Sequence, residues 1–295
     1  MLAVICPTTQ SRSAIYADFL KNWEAVFAKH NVLLLTIFDG DDQTMQIGNG
    51  GAVIDAAELL GKNKDLIYHN DTACKNLGLY YCALHPEIET IIILDDDVAP
   101  VGDPIAQHIA VLGQRVPISW VSTASHYMRG FPYGIREEAE IALSHGVWDG
   151  VPDLDAPTQL TRGIPADIVY PTMVIPKHSL FPMCGMHLAL TRKALPHLYF
   201  APPWQGMSRC DDIFAGILLK RALDQNNLAV ATGYARVHHK RASNVYENLK
   251  KEALFIQLNE SFWSGDTSHP YFAEYLPKAK RWTDLLTPLL TPSQE

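Results

Sequence analysis

Cysteine is scarce in this sequence, and the spacing of the cysteines argues against disulfide-bonded and zinc-bound domains. The 295 residues include five cysteines: Cys6, Cys74, Cys82, Cys184 and Cys210. Their number is odd and none forms a Cys-x-x-Cys pair, so neither a disulfide framework nor a zinc site is indicated. This usage is typical of a reducing compartment, and we predict a cytoplasmic protein.

Long hydrophobic runs are absent. Apolar stretches such as Ile91–Leu94 are far shorter than the ~20 residues that a membrane span requires. The opening MLAVICPTTQ has no basic region and no small-residue cleavage site, so it indicates a first β-strand and not a signal peptide. We therefore expect no membrane span.

Blocks of positive charge are also missing. The chain has 24 Lys and Arg residues against 32 Asp and Glu, a formal net charge of -8. Without a basic patch, nucleic acid and anionic membranes are not expected partners. A phosphorylated substrate would need local help on so acidic a chain, which directs attention to a metal ion and a few placed cations.

Two nucleotide-binding signatures are not present. The glycines of Gly48–Gly51 do not form G-x-G-x-x-G, and no Lys-Ser/Thr pair follows them as in a P-loop. The pattern therefore supports neither a dinucleotide fold nor a phosphoryl-transfer ATPase.

Strand and helix signals alternate through the first half of the chain. This alternation predicts an α/β fold with a Rossmann-like sheet flanked by helices, in which a ligand lies beyond the carboxyl ends of the strands. The predicted strands are Leu2–Cys6, Val32–Phe38, Leu66–Tyr68 and Glu89–Leu94, and the predicted helices are Ala14–Lys29, Ala52–Leu60 and Asp71–Leu84, the last capped by Asp71 or Asn70.

The rest of the chain changes character twice. Residues 98–182 are rich in Pro, Gly, Asp and Tyr and predict loops that line a site. A helix is predicted at Asp211–Asn226, and further helices at 248–290. We expect one catalytic domain over residues 1–250 and a helical extension over 251–295 packed on it.

The sharpest local feature is Asp95-Asp96-Asp97, directly after the strand that ends at Leu94. Three adjacent carboxylates repel one another unless solvent or a cation neutralises them, and their oxygens suit Mg²⁺ or Mn²⁺. Side chains alternate along an extended segment. Asp95 and Asp97 are therefore the predicted metal ligands, although a solvated acidic turn would have the same sequence.

Two further polar clusters allow both a structural and a functional interpretation. Asp211-Asp212 opens a predicted helix, where a cap and a first-turn acid are favourable, and it could equally orient a sugar hydroxyl or act as a base. The run His238–Arg241 places two imidazoles beside two cations that could hold a diphosphate. In the run Leu180–Met186, Gly185 would let the backbone approach a ligand, while Cys184 has no activating base beside it.

Several segments together resemble the UDP-arabinopyranose mutases, also called reversibly glycosylated polypeptides, of glycosyltransferase family 75. The most specific are the long strings Asp153–Leu160 and Leu180–Met186. The other matching segments, in family order, are Asp71–Lys75, Leu94–Asp97, Phe131–Glu137, Ala142–Trp148, Ile175–Lys177, Asp211-Asp212, Ala242–Asn244 and Asn248–Glu252.

The resemblance implies a GT-A-type fold, a UDP-sugar substrate, a divalent ion (Mn²⁺ or Mg²⁺) at a DXD motif, and no flavin. It implies that His239 joins Asp95 and Asp97 at the metal, and that Asp211 and Asp212 lie on the acceptor side. It also implies self-glycosylation on Arg136, whose flanking glutamates would by themselves indicate a surface helix. The predicted substrate-binding residues are Asp39, Asp71, Lys75, Asp96, His145, Lys177, Cys184, Gly185, Lys240 and Asn244.

The function expected from these features is a flavin-independent, metal-dependent mutase that interconverts pyranose and furanose forms of a UDP-sugar, with Arg136, Asp211 and Asp212 as catalytic residues. Two alternatives remain open: a glycosyltransferase with a separate acceptor, and a non-catalytic partner subunit of a family complex. The tendency of the family to associate implies a homo-oligomer. Departures from the plant pattern include His187 in place of Asn, His238 in place of Trp and Glu138 in place of Gly.

Overall fold

The computed structural model describes residues 1–40, 43–48, 51–69, 71–121, 126–165, 170–205, 209–240 and 244–290. Its strands are β1 (Leu2–Thr8), β2 (Leu33–Phe38), β3 (Thr44–Ile47), β4 (Val53–Asp55), β5 (Thr90–Leu94), β6 (Val98–Pro100), β7 (Arg115–Pro117), β8 (Glu138–Gly150), β9 (Met173–Val174), β10 (His187–Thr191) and β11 (Leu228–His239). Its α-helices are α1 (Ser13–His30), α2 (Ala56–Leu60), α3 (Lys75–Leu84), α4 (Pro104–Ile109), α5 (Ala156–Arg162), α6 (Asp211–Gln225), α7 (Val245–Ser264) and α8 (Pro270–Leu290).

All eleven described strands join one mixed sheet. The main order is β4-β3-β2-β1-β5-β10-β8-β11-β6, with β7 on β8 and β9 on β11. Strands β2, β1 and β5 run parallel, β10 is antiparallel to β5 and β8, and β8 and β11 are parallel to each other. The carboxyl ends of β1, β2, β5, β8 and β11 therefore meet at one edge. The predicted Rossmann-like mixed sheet flanked by helices in a single domain is confirmed.

Helices cover both faces of the sheet because the central strands are apolar on both sides. One core cluster packs the sheet against α3, α6, α7 and α8, with Phe214, Phe262 and Trp282 buried in it. A second cluster on the opposite face packs it against α1 and α4 through Phe19 and Trp23. Burying apolar surface on both faces is the main stabilising term for such a layered domain.

Helix α3 approaches the sheet closely at Gly78. A Cβ atom there would lie 2.8 Å from the side chain of Ile5 on β1. The missing side chain lets α3 lie directly on the strand, and the helix is buried along nearly its whole length. This packing brings the first residue of α3, Lys75, under the carboxyl ends of the strands.

Three element predictions differ from the structure. Leu66–Tyr68 is not a strand but the end of a 3₁₀ helix and the loop after it, and Val53–Asp55 forms β4 before the helix that was predicted to begin at Ala52. Strand β8, of 13 residues, lies within the stretch that was predicted to be loops. Its middle is buried on both faces and so lacks the alternation that marks a half-exposed strand.

Helix α7 runs across the predicted division at residue 250. Phe255, Leu258 and Phe262 of α7 and Tyr271 and Trp282 of α8 are all buried in the core cluster beneath the sheet. The C-terminal helices thus form part of the same packed unit as the sheet. None of the helices in the described ranges combines the length and apolar character needed to cross a membrane.

Candidate active site

A cavity of about 730 Å³ opens at the edge where the carboxyl ends of the strands meet. It collects residues from α3, the end of β5, the loop before β10, the starts of α5 and α6, and the middle of α7. Six predicted site residues line it: Asp71, Lys75, Asp95, Cys184, Asp211 and Asp212. Residues 140 positions apart in the chain are therefore brought to one site, as expected for an α/β sheet.

Lys75 is the buried cation at the centre of this cavity wall. Its side chain is only 2% exposed, and its Nζ lies 2.8 Å from Asp95 Oδ1 and donates to the carbonyl of Gly185 at 2.9 Å. Burial lowers the pKa of Lys75, but the carboxylates of Asp95 and Asp211 raise it more, so the ammonium form is retained. Lys75 therefore joins the end of β5 to the loop before β10.

The first turn of α6 brings two carboxyl groups to the cavity, Asp211 and Asp212. Asp212 Oδ2 accepts a hydrogen bond from Gly185 N at 2.6 Å. Burial, with the neighbouring Asp211, raises the pKa of Asp212 well above its ordinary value, so the protonated carboxyl is favoured. Asp71, across the cavity, has its pKa raised to about 7 by burial and by Asp211. A group that is half protonated near neutral pH can both donate and accept a proton.

Arg12, which was not predicted as a site residue, neutralises two of the three adjacent aspartates. Its Nε lies 2.9 and 3.0 Å from the oxygens of Asp96, and its Nη2 lies 3.1 Å from Asp97 Oδ2. Thr8 donates to the same Asp96 carboxylate at 2.8 Å. Asp96 is 3% exposed, so its side chain points into the protein, as the alternation along the segment predicts. Its partners are protein groups.

Asp97 and His239 face each other with the chemistry that a divalent ion requires. Strand β11 pairs with β6, opposing His239 to Val98, and places His239 Nε2 4.0 Å from Asp97 Oδ1. His239 Nδ1 lies 2.9 Å from the carbonyl of Val151, and the tautomer that donates there leaves an Nε2 lone pair towards Asp97.

This pair fits a Mn²⁺ or Mg²⁺ ion that takes its other ligands from water and phosphate. Among the residues that the structure describes, no group of three or more His, Cys, Asp or Glu side chains stands ready to hold a metal. Asp95, the third predicted ligand, is paired with Lys75. A metal site here would therefore need the substrate to complete it.

A smaller cavity of about 220 Å³ lies on the α1 side of the same aspartates. Asp96, Asp97 and the exposed Lys240 line it, together with Asp18 and Asn22 of α1. Lys240 is thus a long, exposed cationic side chain close to Asp97, which with His239 fits a metal ion. Arg241, the other cation of the predicted cluster, lies outside the described residues.

His145 and Cys184 form the wall behind the large cavity. Cys184 N donates to His145 Nε2 at 3.0 Å, and His145 Nδ1 lies 3.0 Å from Thr232 Oγ1. Burial lowers the pKa of His145 to about 4 and raises that of the Cys184 thiol well above its ordinary value. A neutral imidazole and a neutral thiol suit a wall that positions the loop, and a buried thiol is not a nucleophile.

Three predicted substrate-binding residues have structural partners. Asp39 accepts from Asp71 N at 2.9 Å, which fixes the turn before α3. Asp71 itself accepts from Ala73 N and so provides the predicted cap; Asn70 lies outside the described residues. Asn244 caps α7 by accepting from Tyr246 N at 3.0 Å.

Arg136 and Lys177 lie away from the cavity. Arg136 precedes β8, whose other end reaches the cavity, and seven residues separate Glu138 from His145, on the order of 20 Å of strand. The Arg136 guanidinium donates to the carbonyl of Phe131 and stacks on Tyr133 at 3.8 Å. Lys177 pairs with Glu137 at the same distant edge. The structure does not bring either residue to the other site residues within one chain.

The cavity also contains charged and amide side chains that were not predicted. They are Asp153, Asp155, Arg209, Glu252, Asn259 and Glu260. Arg209 directly precedes the Cys210-Asp211-Asp212 run, and Glu252 belongs to a segment quoted for the resemblance. Each could have been noted because it lies close in sequence to a matching segment. Packing of α7 against α5, and the ion pair of Glu252 with Arg209, accompany their meeting at the cavity.

The fold and cavity define a Rossmann-like α/β protein of the nucleotide-sugar-transferase fold class. The model of the reversibly glycosylated polypeptide family matches residues 4–272, and the chain belongs to that family.

Plant proteins are among its relatives. A probable UDP-arabinopyranose mutase 1 from Zea mays is 34% identical over 92% of this chain and 77% of its own length. UDP-arabinopyranose mutase 3 from Arabidopsis thaliana is 32% identical over 94% of this chain and 79% of its own. UDP-arabinopyranose mutase 1 from Oryza sativa subsp. japonica is 32% identical, over 92% and 77%.

Proposed function

We propose that this chain is a UDP-sugar mutase that interconverts the pyranose and furanose forms of a UDP-pentose, with UDP-arabinose as the first candidate. The cavity carries the proposal: it joins Asp95, the first aspartate after β5, to the acidic first turn of α6. The names of the plant relatives supply the sugar and the reaction. The cavity volume of about 730 Å³ falls in the range of ligand pockets and can hold either the pyranose or the furanose form of the sugar.

The reaction needs proton transfer at the sugar hydroxyls, and the cavity provides carboxyl groups for it. The bond from C1 to the phosphate oxygen breaks with its electron pair leaving on UDP. O4 then bonds to C1 while the C1–O5 bond breaks, and UDP returns to C1. The net change moves one proton from O4 to O5 and transfers no electrons. The proposal includes no flavin.

Asp212 and Asp71 are suited to these proton transfers. Burial and Asp211 raise the pKa of Asp212, which favours the protonated carboxyl, and this form can donate its proton to an oxygen that gains one. Asp71 has a pKa raised to about 7 and can accept a proton from a hydroxyl. Asp212 is also fixed by Gly185 N, which keeps its carboxyl group in one orientation. Water must be kept out, since it would trap the sugar at C1.

Asp97 and His239 would hold the divalent ion. Asp95, the third predicted ligand, is paired with Lys75. When bound, such an ion would neutralise negative charge on the diphosphate as the C1–O bond breaks. Arg12 already offsets the charge on Asp96 and shares Asp97. Arg12 contacts Asp97 through Oδ2, so Asp97 Oδ1, the oxygen that faces His239, is left for a cation.

The proposal includes self-glycosylation on Arg136 as a separate event. A guanidinium is a poor nucleophile while protonated, and Arg136 lies at the far end of β8. We therefore expect the sugar adduct on Arg136 to form away from the cavity of the same chain.

The test is incubation of the purified chain with UDP-arabinopyranose and a panel of other UDP-sugars, with Mn²⁺, Mg²⁺ or EDTA. Chromatography would identify the products, and intact mass would detect an adduct. We expect a furanose product that requires the metal. Replacing Asp212 by Asn should lower kcat about 10²- to 10⁴-fold. The matched control is Asp284→Asn, an exposed aspartate of α8 paired with Lys280.

Other outcomes would replace the proposal. Metal-dependent release of UDP without ring interconversion, rising when an acceptor is added, would indicate a glycosyltransferase with a separate acceptor. Absence of turnover with every sugar, while UDP still binds, would indicate a partner subunit.

A further inference from the structure

The cavity carries far more negative than positive charge. Among its described lining residues, eight are Asp or Glu and two, Lys75 and Arg209, are cations. Lys75 is buried and already bound to Asp95 and to the Gly185 carbonyl. A doubly charged diphosphate entering this site would be repelled unless a cation other than Lys75 met it.

Arg209 is the cation whose donors are left for a ligand. Its Nε lies 3.1 Å from Glu252 Oε1, and its side chain is 35% exposed. Within the described parts of the chain, no protein group bonds its Nη1 or Nη2. These two nitrogens form the terminal edge of the guanidinium, the edge that matches two oxygens of a phosphate.

Glu252 holds the guanidinium in place from a buried position. Its side chain is 5% exposed, and its second oxygen, Oε2, accepts from Ala156 N at 2.7 Å. One carboxylate of α7 thus joins the first turn of α5 to Arg209, two residues before α6. A side chain fixed in this way loses little conformational entropy when a ligand binds.

The backbone at Arg209 supports the same assignment. Its φ of 69° lies in the left-handed region, which is uncommon for a residue with a long side chain. The chain adopts this conformation two residues before α6 begins, where it directs Arg209 to Glu252. Such strain persists where the surrounding contacts hold it, and it concentrates at functional sites.

We propose that Arg209 is a ligand-binding residue that takes phosphate oxygens of the nucleotide diphosphate through Nη1 and Nη2, and that Glu252 is its positioning residue. This inference rests on the proposed function for the choice of ligand. It assigns the cation that offsets the phosphate charge on the α6 side of the cavity.

The test is isothermal titration calorimetry of the full chain with UDP, pyrophosphate and uridine, each with Mn²⁺ and with EDTA. Uridine lacks the phosphates, and pyrophosphate lacks the nucleoside. We expect Arg209→Gln to weaken binding of UDP and pyrophosphate about 10- to 100-fold and to change uridine binding less than about twofold. Arg209→Lys, which keeps the charge but loses the planar edge, should lie between. Arg129→Gln, an exposed arginine outside the cavity, is the control for lost charge.

Glu252 is tested by a double-mutant cycle. Glu252→Gln should weaken UDP binding about 3- to 10-fold, and Arg209→Gln/Glu252→Gln should bind UDP no more weakly than Arg209→Gln alone. A role of Glu252 in folding only would instead give additive losses that extend to uridine. Thermal unfolding of each variant would show that the comparison is made between folded proteins.

Three results would overturn the inference: equal UDP affinity for Arg209→Gln and the unmodified chain, an equal loss with Arg129→Gln, or no binding of UDP or pyrophosphate by the unmodified chain with or without Mn²⁺. Failure of the proposed function is distinct, because a chain whose UDP binding depends on Arg209 but which converts no sugar would lose the mutase assignment and keep this one.

Discussion

Lys75 is a charged residue with almost no exposed surface, and its two protein partners lie on separate elements. A buried ion pair adds little net stability compared with apolar residues, but removing one partner leaves an uncompensated charge. The pair of Lys75 with Asp95 therefore specifies where α3 and the end of β5 meet more than it stabilises the domain.

We predict that Lys75→Met lowers the free energy of unfolding by about 3 to 5 kcal/mol, because Asp95 and the Gly185 carbonyl lose their partner. Urea unfolding followed by circular dichroism would measure it. The double variant Lys75→Met/Asp95→Asn should be more stable than Lys75→Met, since it removes the charge left behind. If Lys75→Met alone lowered the free energy of unfolding by less than about 1 kcal/mol, the assigned pairing of Lys75 with Asp95 would be wrong.

Three buried histidines on and beside the sheet give the stability a pH dependence. His108 Nε2 lies 2.9 Å from His187 Nε2, and His108 Nδ1 lies 2.8 Å from Ser144 Oγ. Burial lowers the pKa of His187 to about 3, of His145 to about 4, and of His108 well below its ordinary value. The unfolded chain takes up these protons near pH 6.5, so the histidines lower the stability as the pH falls below that value.

The carboxyl groups with raised pKa act in the opposite direction over an overlapping range. The folded state holds protons on Asp71 and Asp212 that the unfolded chain releases near pH 4, so these groups lower the stability as the pH rises. A pH profile of the unmodified chain would contain both effects. Only a comparison with a variant separates them.

We predict that His187→Asn makes the stability less sensitive to acid. An amide can still bond His108 but takes up no proton, so between pH 6 and 4 the free energy of unfolding should fall by about 1.4 kcal/mol less per pH unit than in the unmodified chain. Urea midpoints measured at half-unit intervals would give the two slopes. Parallel slopes would show that His187 is not kept neutral by its surroundings.

At the scale of elements, α7 depends on a side chain that was predicted to bind substrate. Asn244 accepts from Tyr246 N and Glu247 N, and these amides belong to the first turn, which has no helical partners for them. The helix carries Glu252, Phe255 and Asn259 to the cavity wall. Its start therefore affects the shape of the site without contact between Asn244 and a ligand.

We predict that Asn244→Ala lowers the free energy of unfolding by about 1 kcal/mol through the lost cap, while Asn244→Asp keeps the acceptor and stays close to the unmodified chain. Chemical unfolding measures the loss, and UDP titration measures any effect on the cavity. If Asn244→Asp lost UDP binding while keeping its stability, a direct role in binding would replace the capping role.

How far the sequence predicts the elements depends on how local their signals are. Helices α1 and α6 and strands β1, β2 and β5 follow from local periodicity and differ from the predicted bounds by one or two residues. Strand β8 does not, because its pairing with β11 and β10 comes from segments more than 40 residues away and buries both of its faces. Non-local pairing of this kind leaves little trace in a short window of sequence.

The same limit applies to the site. The motifs at Asp71, Asp95 and Asp211 were identified as parts of one site, and the cavity does join them. The ion pairs that organise them, Lys75 with Asp95 and Arg12 with Asp96, depend on the close approach of α3 and of the turn after β1. Those distances arise from packing, so the sequence could give the members of the cluster but not their partners.

At the scale of the whole molecule, the sheet separates Arg136 from the cavity. Strand β8, which follows Arg136, runs from one edge of the sheet to the other, and its carboxyl end lies at the edge where the cavity opens. Around Arg136 the chain exposes Trp120, Tyr133 and Ile135, with Tyr133 85% exposed. This edge is therefore accessible to another molecule, whereas the Arg136 guanidinium contacts Phe131 and Tyr133 and no residue of the cavity lining.

We predict that Arg136→Ala keeps sugar interconversion within about twofold of the unmodified chain, because no step in the cavity involves a group on the order of 20 Å away. The same variant should lose any sugar adduct, read as the pentose mass increment on the intact protein, while Arg129→Ala in the same segment should keep it. Mixing an isotopically heavy Arg136→Ala chain with a light unmodified chain locates the donor: an adduct on the light chain that rises with the heavy chain present indicates transfer between copies. Loss of interconversion in Arg136→Ala would show that Arg136 reaches a cavity during turnover, and a second copy would then have to supply it.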